Sequence, residues 1–108
     1  MNQFQQRRGA RGEATGAINT SDSYYAGELA SSTNQEVTLP TNTNIVVFSA
    51  NGDFYCRYDS SAAVIPTGSI DADSVELNPS VRDVSDSGIT DLNIIAPATT
   101  KITLAFYS

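Results

Sequence analysis

Residues 44–58 read NIVVFSANGDFYCRY, two β-branched and aromatic runs on either side of Asn51-Gly52. Asn-Gly can supply the two positive φ angles of a type I′ turn, so the stretch predicts a β-hairpin. A two-residue loop sets Ser49 opposite Phe54, Val47 opposite Cys56 and Ile45 opposite Tyr58, and this set reads as the core face. The other face pairs Phe48 with Tyr55 and Val46 with Arg57. With Val46, Phe48 and Tyr55 on it, that face is too apolar for open solvent, which makes the three residues candidates for an oligomer interface. The competing expectation is that they pack within their own chain.

The same rhythm continues outward from the hairpin. GITDLNIIAPATTKITLAFYS, residues 88–108, reads as a second hairpin around PATT, with Ile102, Leu104 and Phe106 alternating along a last strand in which the chain ends. EVTLP (36–40) and AAVIP (62–66) read as short strands closed by proline, and Val75–Leu77 and Val81–Val84 flank a turn at Asn78-Pro79. No helical periodicity survives the Asn, Gly, Pro and Ser punctuation. Seven or eight short strands predict an all-β fold: a compact antiparallel β-sandwich, jelly-roll-like, or a small barrel.

With 108 residues the chain fits one domain. Residues 1–20 hold only Met1, Phe4 and Ile18 as large apolar side chains, so they read as an extended N-terminal arm before a single β-domain over residues 21–108. Charge divides the same way. Residues 1–12 carry Arg7, Arg8 and Arg11 and no acid, a charge of +3, and the remainder carries −9, together the net −6. An acidic body repels phosphate backbones, which disfavours nucleic acid as a partner. The arm suits a tether whose arginines fork onto carboxylates, with Gly9, Gly12 and Gly16 letting the backbone follow a groove. A disordered solubilising tail is the plainer alternative.

Catalytic chemistry is not evident. The chain has no histidine and one cysteine, Cys56, so His-based triads and intramolecular disulfides cannot form, and Cys56 reads as a buried, inert thiol. Asp71, Asp73 and Glu76 are spaced to offer oxygens to a calcium ion, yet they lack the glycine and further ligands of an EF-hand loop, and solvated loop acids are the simpler reading. No catalytic, cofactor or metal site is assigned, and the chain is not expected to be an enzyme. No window approaches the roughly 18 apolar residues of a membrane span, and no secretory leader is evident, so a membrane partner is not expected.

Residues 62–84, AAVIPTGSIDADSVELNPSVRDV, the terminal KITLAFYS and the ANGDFYCRYD segment together resemble small structural proteins of tailed bacteriophages, over roughly residues 44–108. Where those proteins often have Asp-Gly ahead of Glu-Leu-Asn-Pro, this chain has Asp73-Ser74. Glu76, Asn78, Pro79 and Arg82 read as a structural turn, with Asn78 capping, Pro79 fixing φ, and opposite charges flanking it. The resemblance implies a virion protein, made in the host cytoplasm and placed on the phage head surface. Within that group a small β-domain with an arm is most similar to capsid decoration, or cement, proteins. The implied partner is the major capsid protein, bridged by a homo-oligomer, a trimer for choice, with Phe4, Arg7, Arg8 and Arg11 as capsid-tether candidates. The alternative is a binding module or adaptor of the virion, for host glycans or for tail or fibre attachment, with Tyr24, Tyr25, Tyr55, Tyr58 and Tyr107 as an aromatic platform.

Overall fold

The structure is a computed structural model that describes residues 1–8, 14–70, 74–85 and 88–108. Among these residues it contains strands and no helix: β1 (Gln6–Arg8), β2 (Ala14–Ile18), β3 (Tyr24–Leu29), β4 (Gln35–Thr38), β5 (Ile45–Ala50), β6 (Tyr55–Arg57), β7 (Glu76–Leu77), β8 (Val81–Asp83), β9 (Asp91–Ile95) and β10 (Thr100–Tyr107). Two antiparallel four-stranded sheets, ordered β3-β10-β5-β8 and β4-β9-β6-β7, form the body, and β1 and β2 form a two-stranded ribbon of their own. The pairs β3–β10, β4–β9, β5–β8 and β6–β7 nest inside one another about the segment between β6 and β7. The pairs β5–β10 and β6–β9 complete the two sheets.

Alternation builds the core. In β10, Ile102, Leu104 and Phe106 point between the sheets and are buried. Their register partners in β5 include Phe48, opposite Leu104, and Val46, opposite Phe106. The facing sheet contributes Leu92 and Ile94 from β9, with Cys56 of β6 opposite Ile94 and Val37 of β4 opposite Leu92. Phe48 and Phe54 meet across the layer with ring centroids 5.9 Å apart. Each such side chain removed from water contributes on the order of 1.5–3 kcal/mol.

Both expected hairpins are corrected. β5 and β6 lie in different sheets, as do β9 and β10. Neither Asn51 nor Gly52 has a positive φ, so the type I′ turn does not form. Asn51 instead clasps β10: its Oδ1 accepts from Lys101 N at 2.9 Å and its N–H donates to Lys101 O at 3.1 Å. A Cβ on Gly52 would stand 3.0 Å from Thr100 Oγ1, so glycine here permits a close approach of two segments. The chain leaves the first sheet along β10 and crosses to the second. Val46 and Phe48, expected on an exposed interface, are therefore buried in their own chain, and only Tyr55 of the three stays half-buried on an outer face.

AAVIP forms no strand. Ala63 is buried, its N–H donating to Asn34 Oδ1 at 2.8 Å, while Val64 is 67% exposed. The remaining strand expectations, at residues 36–40, 75–77, 81–84 and the C-terminal segment, coincide with β4, β7, β8 and β10.

The first residues of the expected arm lie against the body at Ser108 and Tyr107. Asn19 binds Gln3 O through its Nδ2 at 2.7 Å and Gln5 N through its Oδ1 at 2.8 Å. Ser108 N donates to Asn2 O at 2.9 Å, and the Phe4 ring meets Tyr107 edge-on at 5.4 Å. This packing buries Tyr107, which a free arm would leave open on the outer face of β10.

Candidate functional site

Three surfaces stand out from the body. The first is the ribbon of β1 and β2, paired from Gln6 with Ile18 to Arg8 with Ala14 through a register shift. Its base is held by two clamps. Tyr107 OH donates to Asn19 O at 2.6 Å, and Ser21 Oγ donates to Phe106 O at 2.5 Å while accepting from Ser23 N at 2.9 Å. Of the tether candidates, Arg7 and Arg8 belong to β1, Arg11 lies outside the described residues, and Phe4 is packed on Tyr107 rather than free for a partner.

The second surface is the gap between β3 and β4, the edge strands of the two sheets. A cleft of about 450 Å³ opens there onto core side chains Leu29, Val37, Ile94, Ile102 and Leu104, with Glu28 and Glu36 also lining it. Gly27 faces it, and a Cβ at that position would have no neighbour within 4 Å. Tyr25 reaches across to Phe106, with ring centroids 4.8 Å apart, yet stays 45% exposed. Nothing in the sequence singled out YYAGEL as a strand, because Ala26 and Gly27 interrupt its apolar alternation.

No family model, curated protein or solved structure matches this chain. Its function has to be argued from these surfaces.

The third is the turn between β7 and β8. Arg82 grips Glu76 in a fork, Nη2 to Oε2 at 2.7 Å and Nε to Oε1 at 3.0 Å, and Tyr58 OH donates to Oε1 at 2.5 Å. Arg82's hydrogen bonds hold the Glu76 carboxyl below its usual range, outweighing partial burial, and Glu76 in turn raises Arg82. Burial, followed by the bond to Glu76, pushes the Tyr58 hydroxyl up, and burial pushes the Cys56 thiol up to about 12. Both stay neutral, so neither is a nucleophile at ordinary pH. Since β7 and β8 belong to different sheets, the Glu76–Arg82 pair fastens one open edge of the sandwich. Ser74 has φ 60, the left-handed region that glycine favours.

Asp71 and Asp73 lie outside the described residues, and Glu76 is engaged by Arg82 and Tyr58. Among the described residues no three His, Cys, Asp or Glu side chains are grouped to hold a metal. The tyrosines do not share a face: Tyr107 is buried, Tyr58 is bonded to Glu76, and Tyr24 and Tyr25 lie on the opposite sheet from Tyr55.

Proposed function

We propose that the chain is a virion structural protein that decorates the outside of a tailed-phage head as a homo-oligomer and bridges major capsid subunits. The observation that carries this reading is the two-sheet sandwich with an arginine-bearing ribbon clamped outside it at Asn19 and Ser21. A two-stranded ribbon is marginal in water and gains stability from a further strand or surface. Its acidic body offers the arginines carboxylates on a neighbouring subunit. The nested strand pairing supports a jelly-roll reading of the sandwich, an architecture used among virion proteins, and this part of the argument is by analogy of fold.

A bridging protein binds the assembled shell and not the free subunits, so it stabilises the shell by mass action. The test is co-sedimentation of the purified protein with mature heads of the phage that encodes it, beside a glycan array. Saturable head binding without glycan retention is the expected result. Glycan retention without head binding would replace the decoration reading with that of a host-glycan module.

A further inference from the structure

Among the described residues, no strand pairs with the outer edge of β3. The strand runs six residues without lysine, proline or bulge, in continuous register with β10 from Leu29 opposite Thr100 to Tyr24 opposite Ala105. Phe106 N donates to Ser23 O at 3.0 Å, which sets the phase of the ladder. By the alternation of antiparallel bonding, Tyr24, Ala26 and Glu28 then turn their N–H and C=O groups away from β10. Proteins seldom leave so long a flat edge uncovered. Beside it lies the β3/β4 cleft, rimmed by the exposed carboxylates of Glu28 and Glu36. Lys101 is the cross-strand neighbour of Glu28 and forms no ion pair with it.

The same chain carries a strand that fits. β1 is short, carries Arg7 and Arg8, and among the described residues pairs with β2 alone, in a sheet of two. The clamps at Asn19 and Ser21 hold the base of this ribbon against β10, so that it forms a separate sheet and does not extend its own β3. Charge favours a copy of this chain as the donor, since residues 1–12 carry +3 and the body −9. We propose that the β1–β2 ribbon of one copy adds to the free edge of β3 in a second copy, its arginines reaching Glu28 and Glu36. Main-chain bonds supply affinity and the charges supply selection. Because donor and acceptor surfaces differ, the contact is heterologous, and each copy donates one ribbon and accepts one, which makes a closed ring where the rotation between copies closes. This rests on the reading that the ribbon engages a neighbouring subunit, and it names that subunit.

The test is the mass of the isolated full-length protein in solution, with no capsid present. Light scattering at micromolar concentration is expected to give a whole-number multiple of the 11.5 kDa of one chain, falling toward one chain as salt rises. Ala26→Pro removes an outward N–H while sparing the β10 ladder, and with an unchanged circular dichroism spectrum it should raise the dissociation constant about tenfold or more. Glu28→Lys with Glu36→Lys should do the same, as should Arg7→Glu with Arg8→Glu, while all four changes in one chain restore the oligomer. A monomeric wild type, or an oligomer indifferent to Ala26→Pro and to both reversals, overturns the proposal. Head binding by such a monomer would leave the decoration reading standing without its homo-oligomer, so the two failures are distinguishable.

Discussion

At the scale of single residues, the turn at Asn78 is held more tightly than its exposure suggests. Asn78 has φ 49. Its N–H donates to Phe54 O at 2.9 Å, its Oδ1 accepts from Phe54 N at 2.9 Å, and its Nδ2 donates to Asp53 Oδ1 at 2.9 Å. One side chain thus completes a strand-like exchange with a residue buried in the core. Asn78→Ala orphans the Phe54 N–H and should cost about 1–3 kcal/mol, and Asn78→Gly should recover roughly 1 kcal/mol of that by accepting the left-handed backbone. Urea midpoints for the two variants check the order. Glu76 gives a pH signature. Its folded carboxyl titrates below the ordinary value, first because of Arg82, so the unfolded chain takes up the proton first. Its contribution is complete above the ordinary glutamate value of about 4.3 and is lost as pH falls through the lower folded value. The pair is substantially exposed, so the effect is modest, about 0.5–1 kcal/mol. Asp22, Asp59 and Asp83 are lowered too and slope the same way. A difference titration of wild type against Glu76→Gln isolates Glu76, and a difference that stays constant below about pH 5 would count against the assignment.

At the scale of elements, β5 decides between a core and an interface. Phe48 is 6% exposed and packs on Phe54, so Phe48→Ala should lower unfolding free energy by about 3–5 kcal/mol. Denaturation at two protein concentrations gives the check: a core residue shifts both midpoints equally, whereas an interface residue would shift chiefly the concentrated sample. The parity of the sequence already contained this answer. Val46, Phe48, Phe54 and Cys56 are all even-numbered and all buried. A two-residue turn pairs even residues with odd ones, and would have put half of this set outside. Four large apolar side chains of one parity on both sides of Asn51-Gly52 mark a strand crossing between sheets. The alternation in β10 was legible because one strand reports its own faces, and the Glu76, Asn78 and Arg82 turn was legible because its partners are close in sequence. The β3 edge was not, since its identity rests on pairing between Tyr24–Leu29 and Thr100–Ala105, a separation across which local pattern carries no information.

At the scale of the whole molecule, the proposed decoration role and the proposed ribbon-to-β3 contact together predict that the ribbon's arginines govern head occupancy through the number of copies. Replacing Arg7, Arg8 and Arg11 by alanine leaves the docked residues Asn2, Phe4 and Gln5 and the Asn19 and Ser21 clamps in place, so the thermal midpoint should move little. Exposed ion pairs contribute roughly 1 kcal/mol or less each. Their combined loss is still enough to weaken a ring that closes through them. A protomer that leaves the ring also loses the effective concentration that its siblings provided, and avidity can fall by about 10²–10⁴ without any change at the head contact itself. The triple variant should therefore occupy heads poorly, and what remains should depend less on salt, because screening acts on the pairs that were removed. Fusing the variant to an independent trimeric coiled coil separates two routes to that loss. If the arginines act by joining copies, the fusion restores occupancy to near the wild-type level. If they contact capsid carboxylates directly, each head contact stays weakened and occupancy remains low in the fused trimer, which would assign the ribbon to the capsid instead of to β3 of a second copy.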